Sequence, residues 1–291
     1  RTESNQVKTA HTSSSSLRPC PPGVPGNAIS GCLGDQRDYR LDTIGFDTNN
    51  TSRFDAFGLR HAVTIGGDAF TDKVETFDQR GNSDITTPGG ERTVGGALAQ
   101  LKSNYGTWLE VIGAARYDAY RLEGLGTTTS GDRVSPKITV GLTPLPGVTP
   151  YATYAEGYRA PSLTETVVTG AHAGPGIPPF LLFRCPDGQL GMFCFLPNPG
   201  LRPEIGKTKE VGVNLKFDDV LMPGATFRGK VNVFRNDVDD YIELTAVGAR
   251  RIDYNYYQYQ NIAHARIEGA EVEAMYDTGV LLKYMSEYIS E

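Results

Sequence analysis

The chain has 291 residues, room for one large domain or two small ones, and its 34 glycines and 15 tyrosines against one tryptophan lean toward β structure. A net charge of -6 with scattered Lys and Arg offers no basic patch for nucleic acid. No run of about 18 apolar residues occurs, which excludes a transmembrane helix but not strands that cross a bilayer in about 9–11 alternating residues.

The chain opens at Arg1 with no charged-then-apolar export signal, so a removed leader or a start inside a longer gene product is expected. Residues 1–35 are polar, with a Ser13–Ser16 run and a turn-rich Pro19–Pro25, and read as a loop or disordered head. Beyond them, strand-like runs alternate with turn clusters. Short strands are predicted around His61–Phe70 and Val94–Lys102. In Leu109–Tyr117, Leu109, Val111, Ala115 and Tyr117 share one face, while Glu110, Arg116 and Asp118 share the other. The polar link Glu123–Arg133 reads as a large loop, and short strands follow at Lys137–Leu142 and Tyr151–Glu156.

Period two returns downstream. Val211, Val213, Leu215 and Phe217 alternate with Glu210, Gly212, Asn214 and Lys216. Phe227, Val231 and Val233 alternate with Arg228, Lys230 and Asn232; Ala270, Val272, Ala274 and Tyr276 oppose Glu271 and Glu273. Such runs are strands with one apolar and one polar face. Short Pro-Gly links at Leu145–Gly147 and Met222–Gly224 set against longer polar links give the pattern of an outer-membrane barrel. A soluble extracellular β-sandwich or adhesin domain alternates in the same way and remains an alternative at this level.

Four cysteines, at 20, 32, 185 and 194, form two near pairs in Pro/Gly-rich stretches, with no knuckle spacing for zinc. The sequence leaves their pairing open: two local disulfides, Cys185–Cys194 foremost and Cys20–Cys32 beside it, are the expected reading, and four free thiols are the alternative. Neither His-Glu-x-x-His, Gly-x-Ser-x-Gly nor a phosphate-binding Gly loop occurs, so an enzyme reading has no support. The acidic pairs Asp218-Asp219 and Asp239-Asp240 read as solvated turn residues rather than a calcium site. Tyr254, Tyr256, Tyr257 and Tyr259 read as an interfacial aromatic girdle.

Three stretches carry a family resemblance. Tyr151–Pro161, ending in Tyr158-Arg159-Ala160-Pro161, and Asn198-Pro199-Gly200-Leu201-Arg202-Pro203-Glu204 resemble the FRAP and NPNL boxes of TonB-dependent outer-membrane receptors of the haem and haemoglobin branch. Each departs from the family pattern at one position. Gln260–Glu271 resembles a barrel strand of the same family. The resemblance implies an all-β, antiparallel transmembrane β-barrel over residues 36–279, a long extracellular loop over 162–197 and an atypical tail over 280–291.

It also implies outer-membrane uptake of haem, carried as the transported ligand rather than as a tightly bound cofactor. The implied partners are haem or a haem-carrying protein, the outer-membrane lipid, and the TonB complex acting through a plug. A full barrel of 22 strands needs on the order of 500 residues, and about ten strands are countable here, with no plug segment. An incomplete barrel is therefore expected, one that alone neither inserts stably nor transports, because open sheet edges are not tolerated in lipid.

The family places a haem-ligating His between the boxes, and His172 is the His of that stretch. A neutral imidazole nitrogen is a good axial ligand for haem iron. The small residues of Thr169–Gly176 leave room for a flat macrocycle, and Pro178–Phe183 and Phe193–Leu196 offer apolar contact. His11, His61 and His264 read as structural. The alternative within the family is a siderophore or other receptor that does not use haem.

Overall fold

A computed structural model describes residues 2–7, 36–78, 88–172, 183–186, 190–191, 193–247 and 256–278. The pair Cys20 and Cys32, His11, Tyr254 and the tail 280–291 lie outside the described residues.

The strands in chain order are β1 Thr2–Val7, β2 Gln36–Ala56, β3 Leu59–Asp78, β4 Gly90–Tyr105, β5 Leu109–Gly124, β6 Thr127–Leu142 and β7 Val148–Arg159. After a short helix, α1 Leu163–Val167, come β8 Gly170–His172, β9 Phe183–Arg184, β10 Leu190–Gly191 and β11 Phe193–Leu196. The long strands β12 Glu204–Asp218, β13 Thr226–Val247 and β14 Tyr256–Asp277 finish the series. Twelve strands form one sheet, in the order β1-β2-β3-β4-β5-β6-β7-β12-β13-β14-β11-β8, and β9 pairs with β10. Neighbours are antiparallel except β11 and β14, which run parallel.

The sheet is inside-out relative to a water-soluble protein. Val211, Val231 and Val233 are 59%, 47% and 58% exposed, while Asn232 between the last two is 3% exposed. The same alternation leaves Ile65, Val134 and Ile138 bare on one face and buries Asp118 and Ser135 on the other. Apolar side chains outward and polar side chains inward is the arrangement of a transmembrane barrel wall. A sandwich would bury that apolar face against a second sheet, and no such sheet lies among the described residues.

The polar face is cross-linked by ion pairs between strands. Arg92 meets Asp72 at 2.8 Å, and Arg116 spans Asp68 and Asp118, both at 2.8 Å. Lys230 reaches Glu210 at 3.1 Å, and the Tyr151 hydroxyl donates to that same carboxylate. Most partners sit on an adjacent strand or two positions along their own, where β geometry brings side chains together; Arg116 on β5 instead reaches Asp68 on β3 across Gly96 of β4.

At 22 residues, β13 and β14 would reach about 70 Å if straight, more than twice the roughly 30 Å hydrocarbon core. Their ends at the long-loop side therefore rise clear of the bilayer. This explains four departures from the sequence reading. Thr2–Val7 is not a loop but a strand paired with Gln36–Leu41; both its faces are polar, so no alternation marks it. Glu123–Arg133 is not a large loop: β5 and β6 run on and are joined by Leu125 and Gly126 alone, both at positive φ. That two-residue turn matches the twist of a hairpin and needs a residue such as Gly126 that tolerates φ 72°. Asp239 and Asp240 lie within β13, not beside a turn. Tyr256, Tyr257 and Tyr259 lie at the loop end of β14, far from its apolar band around Val272, so they are not a girdle.

Candidate functional site

The site begins where β7 ends. Tyr158-Arg159-Ala160-Pro161 leads from the strand into α1. Ser162 caps the helix: its hydroxyl accepts from the Glu165 amide at 3.2 Å, and the Glu165 carboxylate accepts from the Ser162 amide at 2.8 Å. This reciprocal capping box satisfies two otherwise orphan donors, a contribution of about 1 kcal/mol for the cap.

Arg159 ties three elements together. Its Nε and Nη2 donate to the two oxygens of Glu204 at 2.6 and 2.5 Å. Its Nη1 donates to both oxygens of Glu165 at 3.1 Å. Glu204, the first residue of β12, also accepts from the backbone amide of Ile242 on β13 at 2.8 Å. The guanidinium fork matches carboxylates in the bidentate geometry that lysine cannot reproduce.

The second box is fastened just as tightly. The Asn198 side chain donates to the carbonyl of Tyr259 at 2.9 Å and accepts from the Gly200 amide at 3.1 Å, and its own amide donates to the Thr166 carbonyl at 2.9 Å. Thr129 on β6 donates to the Pro199 carbonyl at 3.0 Å. Leu201 is buried. Arg202 shares two backbone hydrogen bonds with the Asn261 side chain, both 2.8 Å, and its guanidinium reaches Asp240 at 2.5 Å. The hydrogen bond and charge of Asp240 hold the Arg202 pKa above its ordinary value. Pro203 carries the chain into β12.

Beneath this polar lattice lies the main hydrophobic cluster: Val74, Tyr120, Leu122, Ala160, Leu163 and Val167, with Tyr39, Leu41, Val94 and Tyr158 against it. The helix sits directly on two glycines that pair across β4 and β5. A Cβ at Gly90 would come within 3.0 Å of Leu163, and one at Gly124 within 3.0 Å of Val167.

Past the helix, the described parts of the loop have their own strand pairing. β8 pairs with β11, placing the backbone of His172 opposite Phe193; β11 continues onto β14. Cys185 and Cys194 are joined by a disulfide that is buried and covered by Tyr256. Phe193 meets Phe195 and Tyr257 edge-on, with centroids 5.4 and 5.0 Å apart. Aromatic packing of this kind is worth about 0.5–1.5 kcal/mol per pair beyond area burial.

Thus the structure joins the two boxes to each other, and they fasten the root of the loop. His172 stands beyond them on β8. His61 on β3 pairs its Nδ1 with the Ser103 hydroxyl at 2.9 Å, and His264 on β14 faces Asp237 and Asp239 at 3.3 and 3.4 Å. Sequence reading missed Glu165, Asn261 and Asp240 as partners of the boxes. The spacing Ser162-x-x-Glu165 is a capping signal that could have revealed the first; the other two are brought in by strand pairing alone.

An inside-out antiparallel sheet with ion pairs on its polar face and a loop tied at its root defines the wall of an outer-membrane β-barrel. Residues 4–289 match the family model described as TonB dependent receptor-like, beta-barrel, and the chain belongs to that family. It is 33% identical over 255 residues to Heme/hemopexin utilization protein C of Haemophilus influenzae strain 86-028NP, covering 82% of this chain and 33% of that protein. It is 27% identical over 248 residues to the Hemin receptor of Yersinia pestis, covering 80% and 32%.

Among solved structures, the Serratia marcescens hemophore receptor HasR, in complex with its hemophore HasA and heme, aligns with TM-score 0.68 and 28% identity over 84% of this chain and 41% of that one. The siderophore receptor PirA of Acinetobacter baumannii shares the fold at TM-score 0.63 and 18% identity, over 95% and 39%. The chain spans about a third of the length of the curated relatives it matches.

Proposed function

We propose that this chain forms part of an outer-membrane receptor for TonB-dependent uptake of haem, with His172 as an axial ligand of the haem iron. The observation that carries the reading is the position of His172, on a short strand in register with Phe193 between two boxes that clamp the ends of its loop. Relatives named for haem, hemin and hemopexin support the substrate class. An imidazole nitrogen would bind the iron, while Phe193, Phe195 and Tyr257 supply an apolar and aromatic border suited to a porphyrin. Haem held by one ligand from this chain is labile enough to be handed on. Energy for passage would come from the TonB complex through a plug, and haem or a haem-carrying protein would be the extracellular partner.

Haem titration of the refolded chain in detergent tests the reading. The expected result is a Soret shift that His172→Ala abolishes. A shift that survives His172→Ala removes the assigned ligand. No shift in the unaltered chain, together with binding of a ferric chelate, replaces haem by a siderophore.

A further inference from the structure

On the loop side of β12, β13 and β14, the outward face changes abruptly from apolar to charged. Cross-strand register aligns Ala152, Val211, Val233 and Ala270 in one row. The next row on the same face, two residues toward the loops, is Tyr154, Lys209, Arg235 and Glu268. Beyond that come Lys207, Asp237 and Arg266. Val211 and Val233 are exposed in the way a lipid-facing side chain is, so the charged rows lie at headgroup level.

Within those rows one carboxylate organises two guanidinium groups. Asp237 accepts from Arg235 Nε and from Arg266 Nε, each at 2.9 Å. Glu268 lies 3.8 and 3.9 Å from the same two Nε atoms. Both arginines are thus held by Nε, and their terminal nitrogens make no hydrogen bond to the described residues. Asp237 is mostly covered, at 15% exposure, whereas Arg235 and Arg266 are 43% and 46% exposed. Lys209 is exposed, and no described carboxylate engages it. The remaining neighbours are matched among themselves: Lys207 with Asp239 at 2.5 Å, His264 between Asp237 and Asp239, and Glu156 held by Arg133 and Tyr154.

We propose that Arg235, Arg266 and Lys209 form a binding site for the phosphate of an outer-leaflet lipid headgroup. Guanidinium groups pre-oriented through Nε present donor edges that suit phosphate oxygens. The occupant is a lipid rather than a soluble anion because the site is continuous with an apolar strip. A phosphate bound at Lys209 and Arg235 has its acyl chains directly over Val211, Val233, Val231 and Val272. The site is external because the rows adjoin the long-loop ends of the strands, which face outward in such barrels.

The test uses the 291-residue chain in maltoside micelles mixed with a diphosphorylated acyl-glucosamine lipid or with the same lipid after removal of its phosphates. Lipid retained through gel filtration is quantified by fatty-acid mass spectrometry. The chain should retain the phosphorylated lipid and release the dephosphorylated one. Arg235→Gln with Arg266→Gln should lower retention about tenfold, Arg235→Lys with Arg266→Lys should fall between, and Lys73→Gln on β3 should behave as the parent. Equal retention of the two lipids by the parent chain overturns the proposal, and that comparison needs no variant to fold. Unchanged retention by the Gln pair overturns the residue assignment, and displacement of the lipid by excess inorganic phosphate overturns the lipid as occupant.

Discussion

Arg159 and Glu204 stand 45 residues apart in the chain and meet through two parallel hydrogen bonds of 2.6 and 2.5 Å. This pair closes the base of the loop between the two boxes. It is the physical content of the two boxes: one supplies the guanidinium, the other the carboxylate, and the loop between them begins and ends at a fixed point on the barrel rim.

Arg159→Ala should therefore loosen the loop root while leaving the strands intact. Glu204 would remain covered with only the Ile242 amide as donor. Because Arg159 is half exposed, the expected cost is about 2 kcal/mol, below the range for a fully buried pair. Arg159→Lys should recover little of it, since a single ammonium cannot bridge Glu204 and Glu165 bidentately. Hydrogen exchange of residues 162–168, read against exchange in β12, measures both effects; equal protection in Arg159→Ala and the parent would refute the clamp.

Gly90 and Gly124 are expected to resist substitution because α1 rests on them. Gly124→Val forces Val167 away, and overpacking of this kind costs about 1–3 kcal/mol. Gly113, where an added Cβ would meet nothing within 4 Å, should accept Ala at little cost. Thermal or denaturant unfolding of the two variants in detergent gives the comparison.

The Cys185–Cys194 bridge closes a loop of sequence separation 9, worth about 2–3 kcal/mol in the chain-entropy model. Cys185→Ser with Cys194→Ser should weaken haem binding by loosening β11, the strand that holds β8, whereas His172→Ala should remove the iron ligand itself. The Soret titration distinguishes a weakened curve with unchanged spectrum from a lost spectrum.

The orientation of the wall is open to a direct optical test. With Trp108, the single tryptophan, replaced by Phe, a tryptophan at Val211 should be quenched by brominated detergent, and one at Asn214 on the opposite face should not. Equal quenching at both positions would show that the exposed apolar face does not meet the detergent.

The barrel wall was legible in the sequence wherever strands cross lipid, because there one face must be apolar and the other polar. Val211 to Phe217 and Phe227 to Val233 announce themselves by that alternation. Above the bilayer both faces meet water, the constraint disappears, and so does the signal. Thr2–Val7, the β5–β6 hairpin at Leu125-Gly126 and the loop end of β14 were unreadable for that reason. Tyr256 and Tyr257 show the consequence: aromatic residues at a strand end read as a girdle, yet they cover the disulfide and Phe193 of the loop between the boxes.

Strand class, family resemblance and the two boxes were all present in the chain itself, since periodicity and short motifs are local properties. What the boxes touch came from the tertiary structure. Arg159 finds Glu204 because β7 and β12 are neighbours, and Glu204 finds the Ile242 amide because β13 lies beside β12. Adjacency of that kind depends on which strands pair, and pairing is fixed by the order and register of strands across the sheet rather than by any residue's own neighbours in the chain.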